Sequence, residues 1–89
     1  MQLVKVDVKA LEPPEPMTVI LTSLAQLTPK QCLFVSHRRQ PFPLYGKLQQ
    51  VGWAYHCEVH SDDNVSLYIY RQNETEDFEY HLQKKSFTA

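Results

Sequence analysis

Proline occupies three of the four positions in Pro13-Pro14-Glu15-Pro16, and neither a helix interior nor a central strand runs through such a segment. The run therefore divides the chain. Before it, Gln2 to Val8 alternates, with Val4, Val6 and Val8 on one face and Lys5 and Asp7 on the other. Period two with valine enrichment reads as a strand. After it, Met17, Ile20, Leu21, Leu24 and Leu27 recur at helical spacing, which predicts a helix over about 15–27. Proline suits the first turn of a helix, where its missing N–H costs nothing, and Glu15 favours the helix dipole there. Thr28-Pro29 stops the helix.

The rest of the chain continues the alternation of element types. Gln31 to Ser36 reads as a second strand and His37 to Pro43 as a loop. Leu44, Leu48 and Val51 mark one stripe of a second helix that ends near Gly52. In the next strand Trp53, Tyr55, Cys57 and Val59 alternate with Ala54, His56, Glu58 and His60. The turn cluster Ser61-Asp62-Asp63-Asn64 leads into a hairpin partner, Val65 to Tyr70. The order is βαβαββ, an α/β fold of the two-layer α+β kind, with both helices on one face of a four-stranded mixed sheet. In the tail, residues 72–89, Phe78, Tyr80 and Leu82 alternate with Glu79 and His81, which permits a short extra edge strand. Residues 1–71 are thus expected to form one domain, and 72–89 a tail or edge strand.

Composition narrows the functional classes. Nine basic and ten acidic residues leave a formal net charge of -1, so nothing electrostatic points to nucleic acid or an anionic membrane. The apolar runs are far shorter than the ~20 residues of a membrane span, and MQLVKVDVKA lacks the apolar block of a secretory leader. Cys32 and Cys57 form no CxxC pair, and so few cysteines make no disulfide framework. A reduced, cytoplasmic setting is expected.

The segment Val6 to Pro16 resembles the signature of TusA/SirA-like sulfur carriers, in which D-x-x-G-L-x-C-P-x-P joins strand one to helix one and the cysteine accepts a persulfide. Asp7, Leu11, Pro14 and Pro16 match; Ala10 replaces the glycine and Pro13 the cysteine. The Pro-Pro-Glu-Pro run, His37 before a proline-rich loop, the Leu44-Tyr45 helix start and the Gly52-Trp53 turn are more similar to the related DUF2249 family. That resemblance covers about residues 3–71. It implies strand four lying between strands two and three, and an accessory role in redox or metal physiology. It implies no activity. A persulfide relay needs an exposed, activated thiolate, and Pro13 has no nucleophilic atom.

Candidate sites follow from position. Ligands of α/β sheets sit beyond the carboxyl ends of parallel strands, beside helix N-termini. Asp7, the Pro-Pro-Glu-Pro run and His37-Arg38-Arg39 belong at that edge, and His60 joins them if strand three runs parallel to strand two. His37 and His60, with His56, are candidates for a transition metal or haem. His56 and His60 lie about 13 Å apart along a strand, too far to share one ion. Arg38 and Arg39 are candidates for an anionic ligand or a partner's carboxylate. The bland alternatives are solvated histidines and a charged, solubilising loop. Glu58 between His56 and His60 offers acid–base chemistry without a nucleophile.

The sheet face away from the helices should carry Tyr68, Tyr70, His56, His60 and Phe34. Left open, it is a surface for a protein partner or a homodimer. Alternatively, the tail folds back over it with Phe78, Tyr80 or Phe87. The leading expectation is a non-catalytic binding or adaptor module acting through this face and the 37–43 loop. The rival is a metal- or haem-binding redox accessory using His37 and His60. Sulfur transfer remains only if Cys32 or Cys57 is exposed and reactive.

Overall fold

A computed structural model describes the backbone of residues 1–88 and the side chains of residues 1–84. Strand β1 (Gln2–Asp7) leads through the proline run into helix α1 (Glu15–Ala25), and β2 (Gln31–His37) returns parallel to β1. Helix α2 (Phe42–Gln50) follows, then the hairpin of β3 (Trp53–Ser61) and β4 (Asn64–Arg71). The sheet order is β1-β2-β4-β3, with β4 antiparallel to both neighbours. Strand β3 therefore runs parallel to β2. This is the βαβαββ order on a four-stranded mixed sheet expected from the alternation of element types, and strand four lies between strands two and three as the family resemblance implies.

Local chemistry explains the boundaries. Pro14 caps α1 without a side-chain hydrogen bond, Glu15 sits in its first turn, and proline fills the early positions. The Pro13–Pro14 peptide is cis. Helix α2 likewise begins behind Pro41 with proline in its first turn. Gly52 holds φ at +90° between α2 and β3, a conformation that side chains rarely adopt. Ile20 and Leu24 of α1 and Leu44 and Leu48 of α2 bury against Leu33, Val35, Leu67 and Ile69 of the sheet. Both helices thus cover one face. Each fully buried aliphatic side chain contributes about 1.5–3 kcal/mol of transfer free energy.

The second face is covered as well, which decides between the two expectations for it: the aromatic face is not open to a partner, and the tail folds back over it. After a 3₁₀ turn (Gln72–Glu74), residues Thr75–Thr88 form helix α3 in place of the expected edge strand. Its Phe78, 2% exposed, lies on Tyr68 and Tyr70, which are 0% and 7% exposed. The Tyr70 and Phe78 rings stack at 4.1 Å and 9°. Leu82 packs at the margin of the same cluster, while Tyr80 points away, 66% exposed. The side chain of Phe87 lies outside the described residues. The alternation of Phe78, Tyr80 and Leu82 suits a strand, but Phe78 and Leu82 are also one helical turn apart. Glu76 and Asp77 in the first turn and the Thr75 hydroxyl, which donates to Gln72 O at 2.7 Å, favour the helix.

Polar contacts fasten this turn to the body. Buried Glu74 accepts the Lys30 N–H at 2.9 Å through Oε2, at a residue whose φ is +67°. Lys30 also pairs with Asp77. Arg71 donates to Leu27 O at 2.7 Å and Thr28 O at 2.9 Å, where α1 ends, and lies over the Trp53 ring.

Because Phe78 is the main apolar anchor of α3, Phe78→Ala should lower unfolding free energy by about 3–4 kcal/mol in guanidinium titrations. Tyr80→Ala should change it by less than about 0.5 kcal/mol. Equal effects would contradict the observed covering of this face.

Candidate functional site

β1 and β2 end side by side, and the chain leaves each through a proline-rich segment. Between these segments lies a cleft of about 400 Å³ lined by Pro13, Pro14, Pro16, Met17, His37, Arg39, Gln40, Pro41 and Pro43. Its walls are almost wholly apolar, because five prolines and a methionine supply most of the surface. The N-termini of α1 and α2 flank it. The volume lies in the range of small-molecule sites.

Hydrogen bonds connect the two walls. Arg38 donates through Nη2 to Leu11 O, a long contact of 3.4 Å that ties the loop after β2 to the loop after β1. The Arg39 backbone N–H donates to His37 Nδ1 at 3.2 Å. The neutral His37 ring that accepts this bond carries its proton on Nε2. Burial first, and the neighbouring Arg39 and Arg38 charges second, hold the His37 pKa below its ordinary value. Gln40 Oε1 accepts from the Tyr45 hydroxyl at 3.2 Å, and Tyr45 stacks on Tyr55 at 3.9 Å, which braces the α2 wall. Asp7 accepts the Lys9 N–H at 2.9 Å and serves the turn after β1.

The expected edge therefore assembles: the proline run, His37 and Arg39 share one cleft, with Arg38 bridging its walls. The expected histidine cluster does not. His37 pairs in register with Val65, which also pairs with Val59. His37 thus points to the α1–α2 face. His60 bonds Ser66 Oγ at 2.8 Å, and His56 lies 5.8 Å from both the Tyr68 and Phe78 rings, on the α3 face. Successive strand residues point to opposite sides, so the sheet itself separates His37 from His56 and His60. The structure thus does not bring His37 and His60 together on one face. His56 pairs instead with Glu58 at 3.2 Å. Among the described residues, no three His, Cys, Asp or Glu side chains gather as metal ligands. Tyr68 and Tyr70, expected at a partner surface, lie beneath α3.

Neither cysteine lines the cleft beside Pro13. Cys32 is buried on the α3 face, and burial pushes its thiol up to about 12. Cys57 is half-buried on the other face, packed at the edge of the α1–α2 core. Burial, with Cys57 hydrogen bonding next, pushes the Tyr45 phenol well up. Gln40, Pro41 and Pro43 line the cleft from the 37–43 loop that the sequence singled out, and Met17, read only as part of the helix stripe, lines it as well. The signal that would have joined Met17 to that loop is the pair of proline clusters, one at the end of β1 and one at the end of β2.

An α+β domain of this topology, with a proline-framed cleft at its parallel edge, defines the structural class. The model of the DUF2249 family, described as an uncharacterised conserved protein, matches residues 5–71. The chain belongs to that family. No curated protein matches it, and no solved structure does. The matched segment ends at Arg71, so α3 lies beyond it. Among the described residues, no helix is long and apolar enough to cross a membrane.

Two expectations follow. His37 has a depressed folded-state pKa, so the unfolded chain binds its proton first as pH falls. Its contribution is present above about pH 6.5 and is lost as pH drops through the folded value. Urea titrations between pH 7.5 and 5 should show a smaller stability loss for His37→Gln than for the native chain. In Cys57→Ser, a thiol near 12 leaves about one Cys32 in ten thousand as thiolate at pH 8. A disulfide reagent should label it only after denaturation.

Proposed function

We propose that this protein is a small, non-catalytic binding module that recognises its ligand through the proline-framed cleft. The observation that carries this reading is the cleft itself: a concave apolar volume of about 400 Å³ at the carboxyl ends of two parallel strands, with His37 and Arg39 among its few polar residues. Open α/β sheets take ligands at that edge. Pockets with mostly apolar walls and a few convergent polar groups are the usual binding sites.

Recognition without turnover is favoured by the lining. Among the described residues it has one imidazole and no hydroxyl, thiol or carboxylate to act as nucleophile or as a second acid–base group. The burial of Tyr68 and Tyr70 under α3 moves the expected contact surface from the sheet face to the loop at 37–43. A partner that used the aromatic face would first have to displace Phe78.

An amide-resolved NMR screen against mixed small fragments tests the proposal. Saturable shift changes should concentrate at residues 15, 17 and 37–40, and Met17→Glu, which places a charge against the apolar wall, should abolish them. A screen whose responses fall elsewhere on the molecule, with the cleft silent, would refute it.

A further inference from the structure

The cleft has a wall chemistry and a charge, and together they specify what fits. The walls require an apolar body. An apolar cavity of about 150 Å³ holds benzene, so about 400 Å³ leaves room for a ring and a short arm. The prolines at the two walls have no N–H to donate, and Met17 offers only a thioether, so nothing on the walls rewards a polar body.

The polar side chains of the lining are His37, Arg39 and Gln40, and Gln40 already uses its Oε1 to accept from the Tyr45 hydroxyl. Among the described residues, Arg39 is the one charged residue of the lining, it is exposed, and no carboxylate pairs with its guanidinium. Arg38 beside it donates to the Leu11 carbonyl and pairs with no carboxylate among the described residues. His37 uses Nδ1 to accept the Arg39 N–H, so its neutral ring presents Nε2–H as a donor with no partner among the described residues. The first turn of α2 has no acidic side chain, so the positive end of that helix faces the same mouth without compensation. Glu15 in the first turn of α1 does not line the cleft. In a chain of net charge -1, this is a local cationic surplus beside an apolar hole.

We infer that the cleft binds a small carboxylic acid with a single aromatic ring or short aliphatic chain, its apolar body against Met17 and the prolines and its carboxylate at Arg39 and His37 Nε2–H. This rests on the cleft being the binding site and adds the chemical class of the ligand. Arg39 takes the carboxylate through its planar fork, while neutral His37 supplies one further donor.

Three probes share a ring and a two-carbon arm and differ in charge: phenylacetate, phenylacetamide and phenethylamine. In amide-resolved NMR titrations, phenylacetate should shift Met17, His37, Arg39 and Gln40 saturably. Phenylacetamide should bind about fivefold to tenfold more weakly and phenethylamine more weakly still. Arg39→Gln, at an exposed position that should not disturb folding, should bring phenylacetate down to the affinity of phenylacetamide and leave phenylacetamide unchanged. Lys47→Gln, on α2 outside the cleft, should change neither. Equal binding of all three probes would overturn the carboxylate assignment while leaving the cleft as a site. No shift at the cleft with any probe would overturn both. Tighter binding of a pentapeptide ending in phenylalanine, lost when its terminus is amidated, would overturn the free acid in favour of a partner's chain end.

Discussion

β4 is the strand on which both halves of the structure depend. All six residues from Val65 to Tyr70 are buried, and its backbone pairs with β2 on one side and β3 on the other. Alternate side chains serve two separate cores: Leu67 and Ile69 face α1 and α2, while Tyr68 and Tyr70 face Phe78. An antiparallel strand in a two-layer fold ordinarily keeps one wet face. This one cannot, because tyrosine and phenylalanine carry too much apolar surface to be left beside water in a contiguous patch. The sheet therefore needs a second cover, and α3 provides it. The buried Glu74 and the Arg71 contacts to the end of α1 hold the turn that aims the helix at the sheet.

Much of this was legible before the structure, for identifiable reasons. The valine alternation of β1, the leucine spacing of α1 and the prolines between them each carry a strong local signal, and the first crossover follows from them. The face shared by Tyr68, Tyr70, His56 and His60 also followed, because strand parity is strict. The tail bearing Phe78 was one of two open readings for its cover, but the helical form of that tail did not follow. Phe78, Tyr80 and Leu82 satisfy a strand period, and Phe78 and Leu82 alone satisfy a helical one. Over so short a segment the two readings compete on equal terms. Only the demand of Tyr68 and Tyr70 for burial decides between them, and that demand is tertiary.

The histidines show a different kind of error. His37 and His60 end β2 and β3, which run parallel with β4 between them, so their placement at one end of the sheet was read correctly. Their facing was not used. His37 is in phase with Leu33 and Val35, which are core to α1 and α2, and His60 is in phase with His56 on the other side. Parity therefore contained the answer. Edge position brings backbones together, but parity decides whether side chains can meet. Applied to Arg39 and the proline clusters, position alone sufficed, because loops beyond a strand end are not bound by the pleat.

That distinction bears on why the cleft is built from prolines. A loop lined by ordinary residues would offer backbone N–H groups and mobile side chains to the space between two strand ends. Proline offers neither: its φ is locked near −65° and it carries no donor. Five such residues, held by the Arg38–Leu11 contact and by Tyr45 bonded to Gln40, make a wall whose shape is set before anything arrives. Pre-formed walls reduce the ordering cost of association, which otherwise consumes much of the gain from burying a small apolar surface. At the head of α1 Pro13 provides no reactive atom, and in the proposed binding role its ring serves instead as a rigid surface. In the proposed binding role, specificity would fall to the few groups at the mouth that can hydrogen-bond, His37, Arg39 and Gln40, because an apolar wall alone discriminates weakly among ligands of similar size.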